Sequence, residues 1–141
     1  FGKVFVLDRD TIEDTNLTRS VLFTHQDTGR PKAVVAAEAM RRLNPDVRVE
    51  ARQANILHDV GAGVFLEIDI VFGGLDNREA RLFVNQMCWK LGKPWVDGAI
   101  EVVHGIARAF IPPDGACYEC TMTAQAYKLM NMRRSCALLT R

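Results

Sequence analysis

Apolar and polar residues follow two different periods along this chain, and the switches between them mark its elements. Val4 to Leu7 is a continuous apolar run, so Gly2 to Leu7 reads as a strand buried on both faces. Thr11 to Ser20 is polar and reads as a connection with a short helical turn at Asn16 to Arg19. Pro31 suits the first turn of a helix, where its missing N–H costs nothing. Ala33, Ala36, Ala37, Met40 and Leu43 then share one helical face, and Asn44-Pro45 ends that helix because a residue before proline disfavours the helical region. Val47 to Gln53 alternates as a strand with one wet face. Asn55 to Glu67 reads as a loop and a short helix interrupted at Gly61 and Gly63. Ile68 to Phe72 is an apolar strand leading into the turn Gly73-Gly74-Leu75-Asp76-Asn77. Ala80, Phe83, Val84, Met87, Cys88 and Leu91 repeat at helical spacing until Gly92 and Pro94 stop them. Trp95 to Ile100 and Ile106 to Ile111 read as strands, the second after a break at Gly105, and a Pro-Pro-Asp-Gly turn precedes Cys-Tyr-Glu-Cys.

Strand, helix, strand, helix, strand at this spacing implies βαβ units and a mostly parallel sheet. The last two strands have no helix between them and are expected to extend the sheet antiparallel. With 141 residues, the chain is one domain or part of one. It starts at Phe1 without Met, directly before a strand, and stops at Arg141 without a clear closing element. We therefore expect a fragment, with a first strand and its turn lying before Phe1 and the far end beyond Arg141.

Charge and cysteine usage narrow the partners. A net charge of +1 gives no field that would favour nucleic acid or an acidic membrane surface. No basic patch is interleaved with aromatics. No apolar stretch approaches the roughly 20 residues of a membrane helix. Four cysteines in a chain of this size do not make a disulfide scaffold, so a reducing, cytoplasmic setting is the expectation. There a CxxC pair is read first as metal-binding or redox-active.

The candidate chemistry begins where the first strand ends. Asp8 and Asp10 stand at its carboxyl end, the side on which open α/β sheets bind ligands, and such acids suit ribose hydroxyls. A helix cap or a solvated loop acid is the plain alternative. Arg19 and Lys32 lie further along, and phosphate chains want a planar Arg fork and a Lys point charge. Lone cations are also ordinary surface residues. Asp76, on a glycine-flanked turn after a strand, could hold Mg²⁺ with substrate phosphates completing its shell, or could cap the helix from Arg78. Cys117 and Cys120 are half of a zinc site, since structural zinc wants four ligands and the chain has no second pair. Cys136 follows Arg133 and Arg134, two cations that favour a thiolate, yet it also begins an apolar run. Cys88 lies on an apolar helix face and reads as core.

Five segments then fall in register: VLDRDTIEDTNLTR, GRPKAVVAAEAMRRLNP, DIVFGGLDNREAR, LGKPWVDGAIEVVHGIARAFIP and CYEC. Together, from Val4 to Cys120, they resemble the ThiF/MoeB superfamily of ubiquitin-activating-enzyme-like adenylyltransferases. The resemblance implies a Rossmann-like α/β adenylation domain with helices on both faces of a mostly parallel sheet, usually dimeric. By it, residues 1–141 would be part of a ThiF-type adenylation domain. It also implies an ATP-dependent reaction in which the C-terminal carboxylate of a small ubiquitin-like or sulfur-carrier protein, or of a peptide, attacks the α-phosphorus. An acyl-adenylate and pyrophosphate result, and thioester or sulfur transfer can follow. Such a carrier ends in glycine. By this carry-over Asp8 would bind the ribose, with Asp10 beside it. Asn16, Arg19 and Lys32 would contact the phosphates, Asp76 would hold Mg²⁺, and Cys117 and Cys120 would be half of a structural zinc site. Cys136 matches roughly where many members carry a thioester-forming cysteine.

The chain departs from the family pattern at three points. The ATP-binding glycine-rich loop and the second CxxC are absent, and Arg19-Ser20 stands where Arg-Gln is common. The fragment alone is therefore expected to turn over little or no ATP. Two other functions compete. A non-catalytic pseudo-subunit of the same fold would have no physical need for Asp8, Arg19, Lys32 and Asp76 together. An NAD-dependent Rossmann oxidoreductase would use Asp8 but leave Lys32, Asp76 and CYEC without a role.

Overall fold

The computed structural model describes residues 2–101 and 104–128. The chain divides into two compact units, Phe1–Val60 and Gly61–Arg141.

In the first unit, β1 (Lys3–Asp8) pairs in parallel with β2 (Arg48–Gln53), from Lys3 opposite Arg48 to Asp8 opposite Gln53. The crossover carries α1 (Asp14–Leu17), a single helical turn at His25–Asp27, and α2 (Lys32–Leu43). α2 packs on both strands and buries Ala33, Val35, Ala36, Ala37 and Ala39. Alanines at these positions let the helix backbone approach the strands closely, and apolar burial of this kind stabilises at about 25 cal/mol per Å². Met40 is half-buried, and Leu43, on the expected face but in the last turn, is 78% exposed. Val4 to Leu7 are half-buried rather than buried on both faces, because among the described residues β1 has one paired edge and one covering helix. Pro31 is the cap residue, extended at φ −60° and ψ 128°, and Lys32 is the first helical residue.

The long excursion between β1 and α2 is closed by backbone hydrogen bonds. Ile12 N donates to Arg30 O at 2.9 Å, Gly29 N to Ile12 O at 2.8 Å, and Lys32 N to Asp10 O at 3.0 Å. Gly29 has φ +84°, a conformation that side-chain-bearing residues rarely adopt. Arg30 reaches Glu38 of α2 with both carboxylate contacts, 2.7 and 2.9 Å, and Asp27 at 2.8 Å. That fork ties the loop to the helix behind it.

In the second unit, α3 (Ala62–Leu66) precedes β3 (Val71–Gly73), α4 (Arg78–Lys90), β4 (Trp95–Glu101) and β5 (His104–Phe110). The strand order is β3-β4-β5, parallel for the first pair and antiparallel for the second, as expected. β3 is shorter than the run Ile68 to Phe72 predicts, because Ile68 N–H is spent on Phe65 O at 3.4 Å in closing α3. Gly105 lies inside β5 rather than before it. α4 buries Ala80, Leu82, Val84, Asn85 and Cys88, and Gly92 at φ +64° ends it. Inward-facing Trp95 stacks on Phe110 with centroids 5.0 Å apart, and Tyr118 meets both rings edge-on at 6.0 and 6.2 Å. A Cβ on Gly73 would lie 3.3 Å from the Trp95 ring, so a side chain there would have to displace the ring by a few tenths of an ångström.

Candidate functional site

Three of the predicted residues meet at the carboxyl end of β1. Asp8 is half-buried, and its Oδ1 accepts from Asp10 N at 2.9 Å, which turns the chain sharply out of the strand. Lys32 Nζ stands 3.4 Å from Asp10 Oδ2 at the start of α2. The Asp10 O to Lys32 N bond locks the same two residues through their backbones. The result is a pair of carboxylates and a cation held on crossing backbone segments, with Asp10 and Lys32 both partly open to solvent. Such a set can bind hydroxyls through the acids and an anion through the ammonium.

Asn16 sits on α1 instead, and Arg19 in the turn that follows it. Asn16 is buried, and its Oδ1 accepts from Glu13 N at 3.1 Å. Arg19 is exposed and donates to Thr15 O at 2.9 Å across one helical turn. Both side chains therefore fix the local turn, and Asn16 is a structural cap as the molecule stands.

Asp76, in the second unit, is exposed on the turn between β3 and α4, and its Oδ1 accepts from the Asn77 amide at 3.1 Å. The capping role belongs to Asn77, whose side chain accepts from Ala80 N at 2.8 Å. Asp76 is thus not consumed by the helix start, and an exposed hard-oxygen carboxylate on a glycine-flanked turn fits one ligand position for Mg²⁺.

Cys117 and Cys120 bracket a tight turn in which Cys120 N donates to Cys117 O at 3.1 Å and Thr121 N to Tyr118 O at 3.0 Å. The two sulfurs are 3.5 Å apart. Tetrahedral zinc with sulfur at about 2.3 Å holds neighbouring sulfurs about 3.8 Å apart, so the pair fits two of four ligand positions. Among the described residues no group of three or more His, Cys, Asp or Glu side chains completes such a site. Burial raises the Cys117 thiol pKa. Hydrogen bonds from Cys120 N–H, the Asn85 side chain, the Cys120 thiol and Glu119 N–H outweigh that and hold it below the ordinary thiol range. Cys88 behaves oppositely: fully buried on α4, its thiol is pushed up to about 11. Cys136 lies outside the described residues.

The pattern of the sequence does not single out the buried polar framework of this unit. Asp97 is wholly buried in β4 and takes Arg81 Nε at 2.9 Å and Arg108 Nη2 at 2.8 Å. Arg108 lies over the Tyr118 ring at 5.5 Å. Asn85, 2% exposed, accepts from Tyr118 N at 2.9 Å. The signal for both was available: an acid inside the run Trp-Val-Asp-Gly-Ala-Ile, and an amide beside the apolar face of α4.

A family model described as the ThiF family matches residues 1–139. The chain belongs to the ThiF family. It is 41% identical over 123 residues to the SAMP-activating enzyme E1 of Haloferax volcanii, covering 84% of this chain and 44% of that protein. It is 39% identical over 124 residues to the sulfur carrier protein adenylyltransferase of Thermus thermophilus, covering 84% of this chain and 46% of that protein. Among solved structures it resembles E. coli MccB with ATP, at a TM-score of 0.74 and 29% identity over 94% of this chain and 41% of that one. The fold is therefore the Rossmann-like α/β fold of this family. The chain spans less than half the length of these relatives. No helix among the described residues is long and apolar enough to cross a membrane.

Proposed function

We propose that the whole protein to which this chain belongs is an ATP-dependent adenylyltransferase. It would activate the C-terminal carboxylate of a small ubiquitin-like or sulfur-carrier protein, or of a peptide, ending in glycine. The observation that carries this reading is the grouping of Asp8, Asp10 and Lys32 where β1 meets α2, in a chain of the ThiF family. Asp8, with Asp10 beside it, would hold the ribose hydroxyls. Lys32 would leave its weak, partly exposed contact with Asp10 for the phosphates. Arg19 would exchange the Thr15 carbonyl for phosphate oxygens, which accept more strongly because they are charged. Asn16, by contrast, would keep the α1 turn in shape and present its remaining amide donor.

The attacking carboxylate forms a bond to the α-phosphorus as the bond to the pyrophosphate oxygen breaks. Negative charge accumulates on the departing group, and fixed cations stabilise it more in the transition state than in the ground state. Mg²⁺, when bound at Asp76, supplies further charge neutralisation of the phosphates. The rest of the reaction is positioning, so no general acid is required from the chain. In a second step the Cys136 thiolate would take the acyl group as a thioester as the acyl–phosphate bond breaks and AMP leaves, and Cys117 and Cys120 would contribute half of a structural zinc site. A homodimer is the expected assembly.

Two measurements on the full-length protein test the reading. Thermal stabilisation is expected with ATP and Mg²⁺ but not with NAD, and stabilisation by NAD alone would replace this reading with the oxidoreductase one. Intact-mass analysis of a carrier ending in Gly-Gly is expected to show an AMP adduct when pyrophosphatase is present.

A further inference from the structure

We propose that Asn85 is a positioning residue for the Cys117–Cys120 pair, holding the two sulfurs at chelating distance before any metal arrives. This rests on reading the pair as metal ligands. Asn85 is 2% exposed on α4, far along the sequence from the cysteines it serves. Its Oδ1 is committed to Tyr118 N at 2.9 Å. That commitment fixes the orientation of the amide, since the oxygen must face the N–H. The NH₂ end is left as the only donor of this side chain, and Asn85 and Cys117 line one and the same cavity. One buried amide therefore holds the turn by the backbone of Tyr118, the residue directly after Cys117.

The other side of the turn is anchored independently. Tyr118 is 5% exposed among Trp95 and Phe110, with Arg108 over its ring. Thr121 Oγ donates to Tyr118 O at 2.7 Å. Burying the first intervening residue of the CxxC leaves Cys120 exposed. The aromatic anchor sets where the turn lies, and the Asn85 amide, through Tyr118 N, sets the backbone from which the Cys117 side chain projects. Groups that orient a ligand in this way typically change metal affinity by roughly 10–100-fold when removed.

The test uses the full-length protein with Asn85→Leu, Asn85→Asp, Gln86→Ala and Cys117→Ser. Asn85→Asp keeps the acceptor for Tyr118 N, so it preserves the turn if Asn85→Leu does not fold. Two probes are read. Zn²⁺ affinity is measured by competition with a chromophoric chelator, and binding of a trivalent arsenical, which needs two neighbouring thiols, is measured on chelator-treated protein. We expect Cys117→Ser to abolish the signal of this pair, both Asn85 variants to weaken both probes by roughly tenfold or more, and Gln86→Ala to change neither. Arsenical and zinc binding at wild-type strength in a folded Asn85 variant would overturn the proposal. Wild-type protein that takes the arsenical but not zinc at these cysteines would refute the metal reading, and the arsenical comparison alone would then decide the role of Asn85.

Discussion

Removing the Asp97 carboxylate should be the most damaging single change in the second unit. The side chain has no exposed surface and neutralises two guanidinium groups, Arg81 at 15% exposure and Arg108 at 36%. Asp97→Ala would leave both cations facing a site from which their counter-charge has gone. Breaking a buried pair by deleting one partner costs about 3–5 kcal/mol, because the remaining charge is desolvated without compensation. Arg81 lies deep enough to feel most of that. Arg108 can turn partly to water, so Arg108→Ala should cost nearer 1 kcal/mol, the upper end for exposed pairs. Urea unfolding followed by tryptophan fluorescence checks this, with Trp95 reporting from two residues away. With a slope of about 2 kcal/mol per molar, Asp97→Ala should lower the midpoint by about 1.5–2.5 M. The double variant Arg81→Met/Asp97→Leu should lose less than Asp97→Ala, since the deeper guanidinium goes with its counter-charge and only the part-exposed Arg108 is left without one. A shift below about 0.5 M for Asp97→Ala, or an equal loss for Arg108→Ala, would mean that Asp97 is not the counter-charge on which buried Arg81 depends.

Three further outcomes follow from the same structure. With its thiol pushed up to about 11, Cys88 is only about one part in a thousand thiolate at pH 8, so a chromogenic disulfide reagent should label Cys117 and Cys120 first and Cys88 only in urea. Asp27 has its pKa lowered, mainly by the Thr24 hydroxyl and also by Thr24 N–H and Arg30. A depressed carboxyl stabilises above its unfolded pKa and ceases to do so as pH falls through the folded one. The thermal midpoint of Asp27→Asn should therefore lie below wild type near neutrality and converge with it in acid, and a constant gap down to pH 2 would contradict the assignment. Lys32→Ala should weaken ATP binding by calorimetry roughly 10–100-fold, the equivalent of a charge-assisted hydrogen bond of about 1.5–3 kcal/mol, and leave the midpoint nearly unchanged.

What the sequence makes legible here are the features carried by local physics. Period and punctuation find α2 and α4 because alanine and apolar spacing, Pro31, Pro45 and Gly92 act within a turn or two of chain. The hairpin of β4 and β5 and the parallel pairs follow from which runs are separated by helices. Short β3 is less legible, since Ile68 is apolar enough for a strand but its N–H closes α3. The meeting of Asp10 and Lys32, 22 positions apart, depends on a closed excursion of the chain, and their spacing alone could not distinguish that from two surface charges. The Asp97 and Asn85 frameworks were least visible, because a buried polar residue looks like an interruption of pattern until its distant partners are known.

Adenylation of a carrier's C-terminus is read out by ATP–pyrophosphate exchange, because forming the acyl-adenylate reversibly releases pyrophosphate. The assay takes the full-length protein, labelled pyrophosphate, Mg²⁺ and candidate carriers ending in Gly-Gly, with wild type set against Asp76→Ala. Exchange should depend on the carrier and collapse in Asp76→Ala. Exchange that persists undiminished in the variant would remove Asp76 from the metal role. Absence of both exchange and ATP binding in the wild type would contradict the claim itself.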